Sequence, residues 1–71
     1  MKETIIHGFK VKYEDTARPA IDFLLTDLDI DECRVFFDEA KQKKFAKFED
    51  HQDREYTLSY NPDRSYTLIK R

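Results

Sequence analysis

His51-Gln52-Asp53-Arg54-Glu55-Tyr56-Thr57-Leu58-Ser59-Tyr60-Asn61-Pro62-Asp63-Arg64-Ser65-Tyr66-Thr67-Leu68-Ile69-Lys70 is the stretch that decides the fold, because Asp-Arg-X-Tyr-Thr-Leu occurs in it twice, ten residues apart. Ten residues are too few for a helical repeat unit but fit one strand plus one tight turn, so the stretch reads as an antiparallel meander. Asn61-Pro62-Asp63 starts a type I turn with Pro in its second position, and the following residue, Arg64, takes the left-handed conformation of a one-residue bulge. That turn sets Asn61 opposite Ser65, Tyr60 opposite Tyr66 and Leu58 opposite Leu68, all on one face. The same turn ten residues earlier sets Phe48 opposite Leu58 and Ala46 opposite Tyr60. The row Phe48, Leu58, Leu68 is therefore the predicted centre of the buried face.

Upstream of the meander, Asp29-Ile30-Asp31-Glu32 is an Asp-containing relative of the capping box, in which Asp29 accepts from the amide three residues on and Glu32 reaches back. In the helix it starts, Ile30, Cys33, Phe36, Phe37 and Ala40 fall within about a 120° arc at ~100° per residue, with Val35 the misfit. Asp31 and Glu32 at its start, and Lys41, Lys43 and Lys44 at its end, match the helix dipole. A rival reading takes Arg34 to Ala40 as a strand, because Val35-Phe36-Phe37 has strand propensity.

A first helix is predicted over roughly 17–28, capped by Thr16, with Pro19 in its first turn and Ala20, Ile21, Leu24, Leu25 and Leu28 on one side. Before it, Ile5, His7, Phe9, Val11 and Tyr13 alternate with Thr4, Ile6, Gly8, Lys10 and Lys12, the period of a single half-buried strand whose outer positions include Ile6, Lys10 and Lys12. The predicted fold is one α+β domain over 1–71 in the order β-α-α-β-β-β, with an antiparallel sheet and both helices on one face.

Composition bounds the function. Hydrophobic and charged residues are each 39% of the 71 residues, with one Gly and two Pro, which is too apolar and turn-poor for a disordered tail. At this length folding hides only about 60% of the chain's surface, enough for one core. The single Cys33 excludes an internal disulfide, no leader of secretory type opens the chain, and no apolar run approaches the ~20 residues of a membrane span. These features predict a cytoplasmic protein with no membrane segment.

Catalytic and metal-binding patterns are sparse. Cys33 falls on the apolar face of the second helix, where a buried and unreactive thiol is expected. Together with His7 and His51 it is a nominal zinc set whose spacing matches no paired metal motif. Asp27, Asp29 and Asp31 alternate like calcium-loop ligands but lack the loop's Gly and closing Glu. With Gly8 the only glycine, no phosphate-binding loop exists. No catalytic residue, cofactor or metal is expected, and no motif is specific to a family.

Two surfaces remain. Between Glu14 and Glu39 nine acids stand against two bases, a net charge of minus seven. The acidic helical face, represented by Asp22, Asp27, Asp31, Asp38 and Glu39, suits a basic protein partner. The uncovered sheet face is the second, and with Ile6 and Ile69 pointing outward it suits a partner or a homodimer. The expectation is a small non-catalytic binding or regulatory module acting through one of these. The alternative is nucleic-acid binding through lysines at Lys10, Lys12 and Lys47 beside Lys41, Lys43 and Lys44. The inward direction of Phe9, Phe48, Tyr60 and Tyr66 leaves that face without a platform for stacking bases.

Overall fold

In the computed structural model, which describes residues 1–71, the C-terminal repeat forms two strands, β4 (Glu55–Tyr60) and β5 (Tyr66–Lys70). Their register is Leu58 opposite Leu68 and Tyr60 opposite Tyr66. The turn between them has the predicted form. The Asn61 amide donates to the Ser65 carbonyl at 2.8 Å, the Arg64 amide donates to the Asn61 carbonyl at 3.1 Å, and Arg64 is left-handed at φ 69°. This chain has almost no glycine to spend, so Lys44, Asp53 and Arg64 occupy left-handed positions themselves.

The turn before β4 departs from the repeat by one residue. β3 (Phe45–Glu49) pairs with β4 so that Phe48 faces Tyr56 and Ala46 faces Leu58, rather than Leu58 and Tyr60 as predicted. Here the turn opens at Asp50 and its left-handed residue is Asp53 at φ 59°, not Arg54. The physical reason is the Asp50 carboxylate, which accepts from the amides of Gln52 (2.9 Å) and Arg54 (3.0 Å) and so starts the turn one residue early, with Arg54 closing it. The row through the sheet's centre is accordingly Ala46, Leu58, Leu68. Because the register moves by two, every side chain keeps its predicted face.

Between the sheet and its sequence neighbours lies α2 (Ile30–Lys43), which begins at the predicted capping box. The Glu32 amide donates to Asp29 Oδ1 at 2.8 Å, and the Asp29 amide donates to Glu32 Oε1 at 3.3 Å. Residues 34–40 are thus helical, and α2 buries Cys33, Phe37 and Ala40 while Val35 stays exposed. Lys44, left-handed at φ 76°, ends the helix and turns the chain directly into β3.

The first helical segment is less regular than its periodicity predicts. A 3₁₀ turn (Asp15–Ala17) leads into α1 (Arg18–Asp22), and a π turn (Phe23–Asp27) follows. Thr16 does not cap it; the residue before the first turn is Glu14, whose side chain makes no capping bond. The wider π turn rotates Leu25 out of the apolar stripe, leaving it 41% exposed, while Leu24 is fully buried.

The N-terminal segment corrects the predicted order. Residues 5–13 are not one strand; β1 (Lys2–Ile6) and β2 (Phe9–Tyr13) form a hairpin across His7 and Gly8. Both turn residues have positive φ, 49° and 89°, which is the geometry of a two-residue hairpin loop. Crossing a two-residue turn puts Ile6 and Phe9 opposite each other on one face. Ile6 is therefore buried and Ile5 is 66% exposed, the reverse of the prediction.

The hairpin also makes the sheet mixed instead of antiparallel throughout. Its strand order is β1-β2-β5-β4-β3, with β2 and β5 parallel. The chain leaves β2, crosses through the helices to β3 at the far edge, and returns by the meander to the middle. The helices cover one face, where Phe37 stacks on Phe9 with ring centroids 4.3 Å apart and meets Tyr66 edge-on at 4.7 Å. No residue on the opposite face is fully buried.

Candidate functional site

The helices concentrate acid on one layer. Residues 14–44 carry nine acids against five bases, while the strands and their turns carry eight bases against six acids. On α2, Asp31, Val35 and Asp38 lie three and four residues apart and share one outward stripe, with Val35 63% exposed between the two carboxylates. Glu39 belongs to the neighbouring stripe and is engaged by Lys43 at 3.6 Å. Leu25 and Ile30, 41% and 46% exposed, add aliphatic surface where the two helical segments meet.

Asp22 and Asp27 stand apart from that stripe. They line a shallow cleft of about 200 Å³ between α1, the π turn and the β3–β4 turn, together with Pro19, Phe23, Asp50, His51, Gln52 and Arg54. Asp27 contacts His51 Nε2 at 3.3 Å, and the Phe23 ring meets the His51 ring edge-on at 5.2 Å. The acidic set therefore divides into Asp31 and Asp38 on α2, Asp22 and Asp27 at the cleft, and a paired Glu39.

At the floor of the cleft, Asp50 is the one charged residue in the buried set. Sequence reasoning passes over it, because its number falls just outside the repeated motif. Besides the two amides it closes, its carboxylate accepts from Arg54 Nε at 2.7 Å and from the Tyr56 hydroxyl at 3.2 Å. Burial pushes the Asp50 carboxyl up, but the Arg54 and Gln52 amides and the Arg54 guanidinium outweigh burial and hold its pKa below the ordinary carboxylate value. Tyr56 moves up, through burial and then the facing Asp50 carboxylate, so it remains a hydrogen-bond donor at neutral pH.

This network makes a prediction. Asp50→Ala is expected to cost about 2 to 3 kcal/mol of unfolding free energy, because it strips bonds to a charged acceptor and leaves the buried Tyr56 hydroxyl without one. Asp50→Asn, which keeps one acceptor oxygen for the turn amides, should lose less. Since the folded-state pKa is depressed, the stabilisation from the charge is complete above the unfolded value near ~3.9 and disappears as pH falls through the folded value. Chemical denaturation at pH 7 and below pH 4 measures this: the gap between wild type and Asp50→Ala should narrow in acid, and an unchanged gap would remove the assigned role of the charge.

The lysines of the alternative reading are dispersed. Lys10, Lys12 and Lys47 lie on the uncovered sheet face, and the register sets Glu3 beside Lys12. Lys12 Nζ is 3.2 Å from Asp63, whose carboxyl is held down to about 2 by the Ser65 hydroxyl and amide and then by Lys12. Lys47 lies over the Phe45 ring at 5.7 Å. Lys41 and Lys43 belong to the last turn of α2, in the helical layer, with Lys44 at its end. Thr57, Ser59 and Thr67 occupy the middle of the open face, with Ile5, Phe45 and Ile69 on separate strands around them.

Cys33 is fully buried, and that burial pushes its thiol up to about 11, so it supplies no thiolate at neutral pH. His51 is held at the cleft, His7 sits in the β1–β2 turn with a buried Nε2 that has no hydrogen-bond partner, and no group of three metal-ligating side chains converges. No helix is long and apolar enough to cross a membrane.

No family model matches the chain, and comparison with curated proteins and with solved structures finds no match.

Proposed function

We propose that this chain is a small non-catalytic interaction module that docks a protein partner on its acidic helical layer. The observation that carries this reading is Val35, 63% exposed between Asp31 and Asp38 on one stripe of α2. An exposed aliphatic side chain flanked by carboxylates matches a partner surface with an apolar centre and a basic rim, where the charges guide encounter and the apolar contact supplies affinity. Leu25 and Ile30 extend the same layer. The open sheet face offers less, because its centre is threonine and serine and its apolar side chains are scattered. Lysines interleaved with Glu3, Glu49, Glu55 and Asp63 present no continuous basic track for a phosphate backbone.

Affinity capture compared between wild type and the double variant Asp31→Lys, Asp38→Lys tests the reading. The variant should keep its circular dichroism at room temperature, since both side chains are exposed, with a melting temperature lower by only a few degrees because a lysine at position 31 opposes the dipole in the first turn of α2, and should lose the captured protein. Equal capture by both proteins would overturn it. Fluorescence anisotropy with labelled single-stranded and duplex oligonucleotides at low salt is the counter-test, with no binding expected; binding that weakens steeply with salt would favour the lysine face instead.

A further inference from the structure

β3 is an edge strand, and which of its backbone groups are free follows from the bonds at its two ends. The Tyr60 amide donates to the Lys44 carbonyl at 2.9 Å, and the Asp50 amide donates to the Arg54 carbonyl at 3.1 Å, so residues 44 and 50 direct polar groups toward β4. In an antiparallel ladder that direction alternates along the strand. Phe45, Lys47 and Glu49 therefore turn their amides and carbonyls to the free edge, and their side chains to the uncovered face of the sheet.

We propose that this edge pairs antiparallel with the same edge of a second copy, about a two-fold axis at Phe48, joining two five-stranded sheets into one. Charge selects the register. Pairings that satisfy the free groups match odd-numbered residues with odd-numbered residues. An axis at Lys47 sets Lys47 against its own copy, a like-charge pair that costs stability. An axis at Ala46 sets Lys47 against the partner's uncharged Phe45 and leaves Glu49 unpaired beyond the end of the partner strand, so it forms no ion pair. An axis at Phe48 sets Lys47 against the partner's Glu49 and Glu49 against the partner's Lys47, each as a hydrogen-bonded pair.

Glu49 has an unmet need for that contact. Its cross-strand neighbour within the chain is Glu55, a like charge, and neither carboxylate forms an ion pair within the chain. On the helical face the same axis brings Phe48 against the partner's Phe48 at a close, non-hydrogen-bonded position. Phe48 already packs on Phe36 and Tyr56, with centroids 5.1 and 5.6 Å away, so the contact extends the aromatic core across the junction. The other edge, β1, has no such self-complementarity, since pairing about Thr4 sets Glu3 against Ile5. An axis normal to the sheet leaves both acidic helical layers on one side, as a bivalent surface. The pairing does not depend on those layers having a partner.

Sedimentation velocity from micromolar to millimolar concentration tests the proposal. Wild type should dimerise reversibly. Lys47→Glu and Glu49→Lys each convert two attractive pairs into two repulsive ones and should weaken dimerisation by roughly tenfold or more. The combined swap Lys47→Glu, Glu49→Lys should restore it. All three variants should match wild type in circular dichroism, because residues 47 and 49 are exposed. Amide exchange at Lys47 and Glu49 should slow as concentration rises, while the Ala46 and Phe48 amides are unaffected. A monomer at every concentration overturns the proposal, as does a dimer indifferent to the single reversals or a swap that fails to restore association.

Discussion

Phe37→Ala is expected to lower the unfolding free energy by about 3 to 5 kcal/mol, the range for emptying a fully buried phenylalanine site. Phe37 is wholly inaccessible and is the main side chain that α2 drives into the sheet. Its ring touches both halves of the fold, stacking on Phe9 of the N-terminal hairpin and meeting Tyr66 of the meander edge-on. Removing it takes away the transfer free energy of the ring, leaves a cavity lined by the rigid rings of Phe9 and Tyr66, and deletes aromatic pairs worth about 0.5 to 1.5 kcal/mol each. A domain of this size has only about 4 to 11 kcal/mol of stability in total, at roughly 0.05 to 0.15 kcal/mol per residue. The variant should therefore be partly unfolded near physiological temperature. Phe37→Leu, which keeps much of the volume and loses the ring pairs, should cost only about 1 to 2 kcal/mol. Urea denaturation of the three proteins decides the matter; equal midpoints for Phe37→Ala and wild type would contradict the packing of α2 on the sheet.

Leu58→Ala is the second large effect, at about 2 to 5 kcal/mol. Leu58 lies on β4, flanked by β5 and β3, fully buried, with Leu68 on one side and Ala46 on the other. Backbone pairing on both sides holds the strand in place, so neighbours cannot close the gap that the lost side chain leaves. The small Ala46 cannot fill it either. A loss close to zero, measured as a shift in urea midpoint at unchanged slope, would contradict the central row Ala46, Leu58, Leu68.

The candidate site was legible in part. The acids of residues 14–39 are visible as a charge excess, and helical periodicity brings Asp31, Val35 and Asp38 to one stripe. What periodicity could not supply is the separation of Asp22 and Asp27 from that stripe. The π turn after α1 changes the angle per residue locally, and the β3–β4 turn supplies His51 to Asp27 from a distant part of the chain. The role of Asp50 was hidden for a related reason: a carboxylate preceding a turn is ordinary in sequence, and only folding reveals that Arg54 and Tyr56 converge on it.

Elements whose signals are local were determined by the sequence alone. The capping box at Asp29, the αL position at Arg64 and the pairing of Leu58 with Leu68 each follow from residues within about ten positions of one another, where propensity, turn chemistry and the two-residue period agree. The hairpin at His7 and Gly8 and the earlier turn at Asp50 had local signals too, but an uninterrupted alternation and an inexact repeat concealed them. Only the tertiary structure decided where the N-terminal hairpin docks, and hence that β2 lies parallel to β5 in a mixed sheet. Strand order carries no periodic signature in a sequence. It is set by which arrangement buries Ile6, Phe9 and Val11 beneath the helices together with Tyr66 and Leu68, a condition on distant surfaces rather than on neighbouring residues.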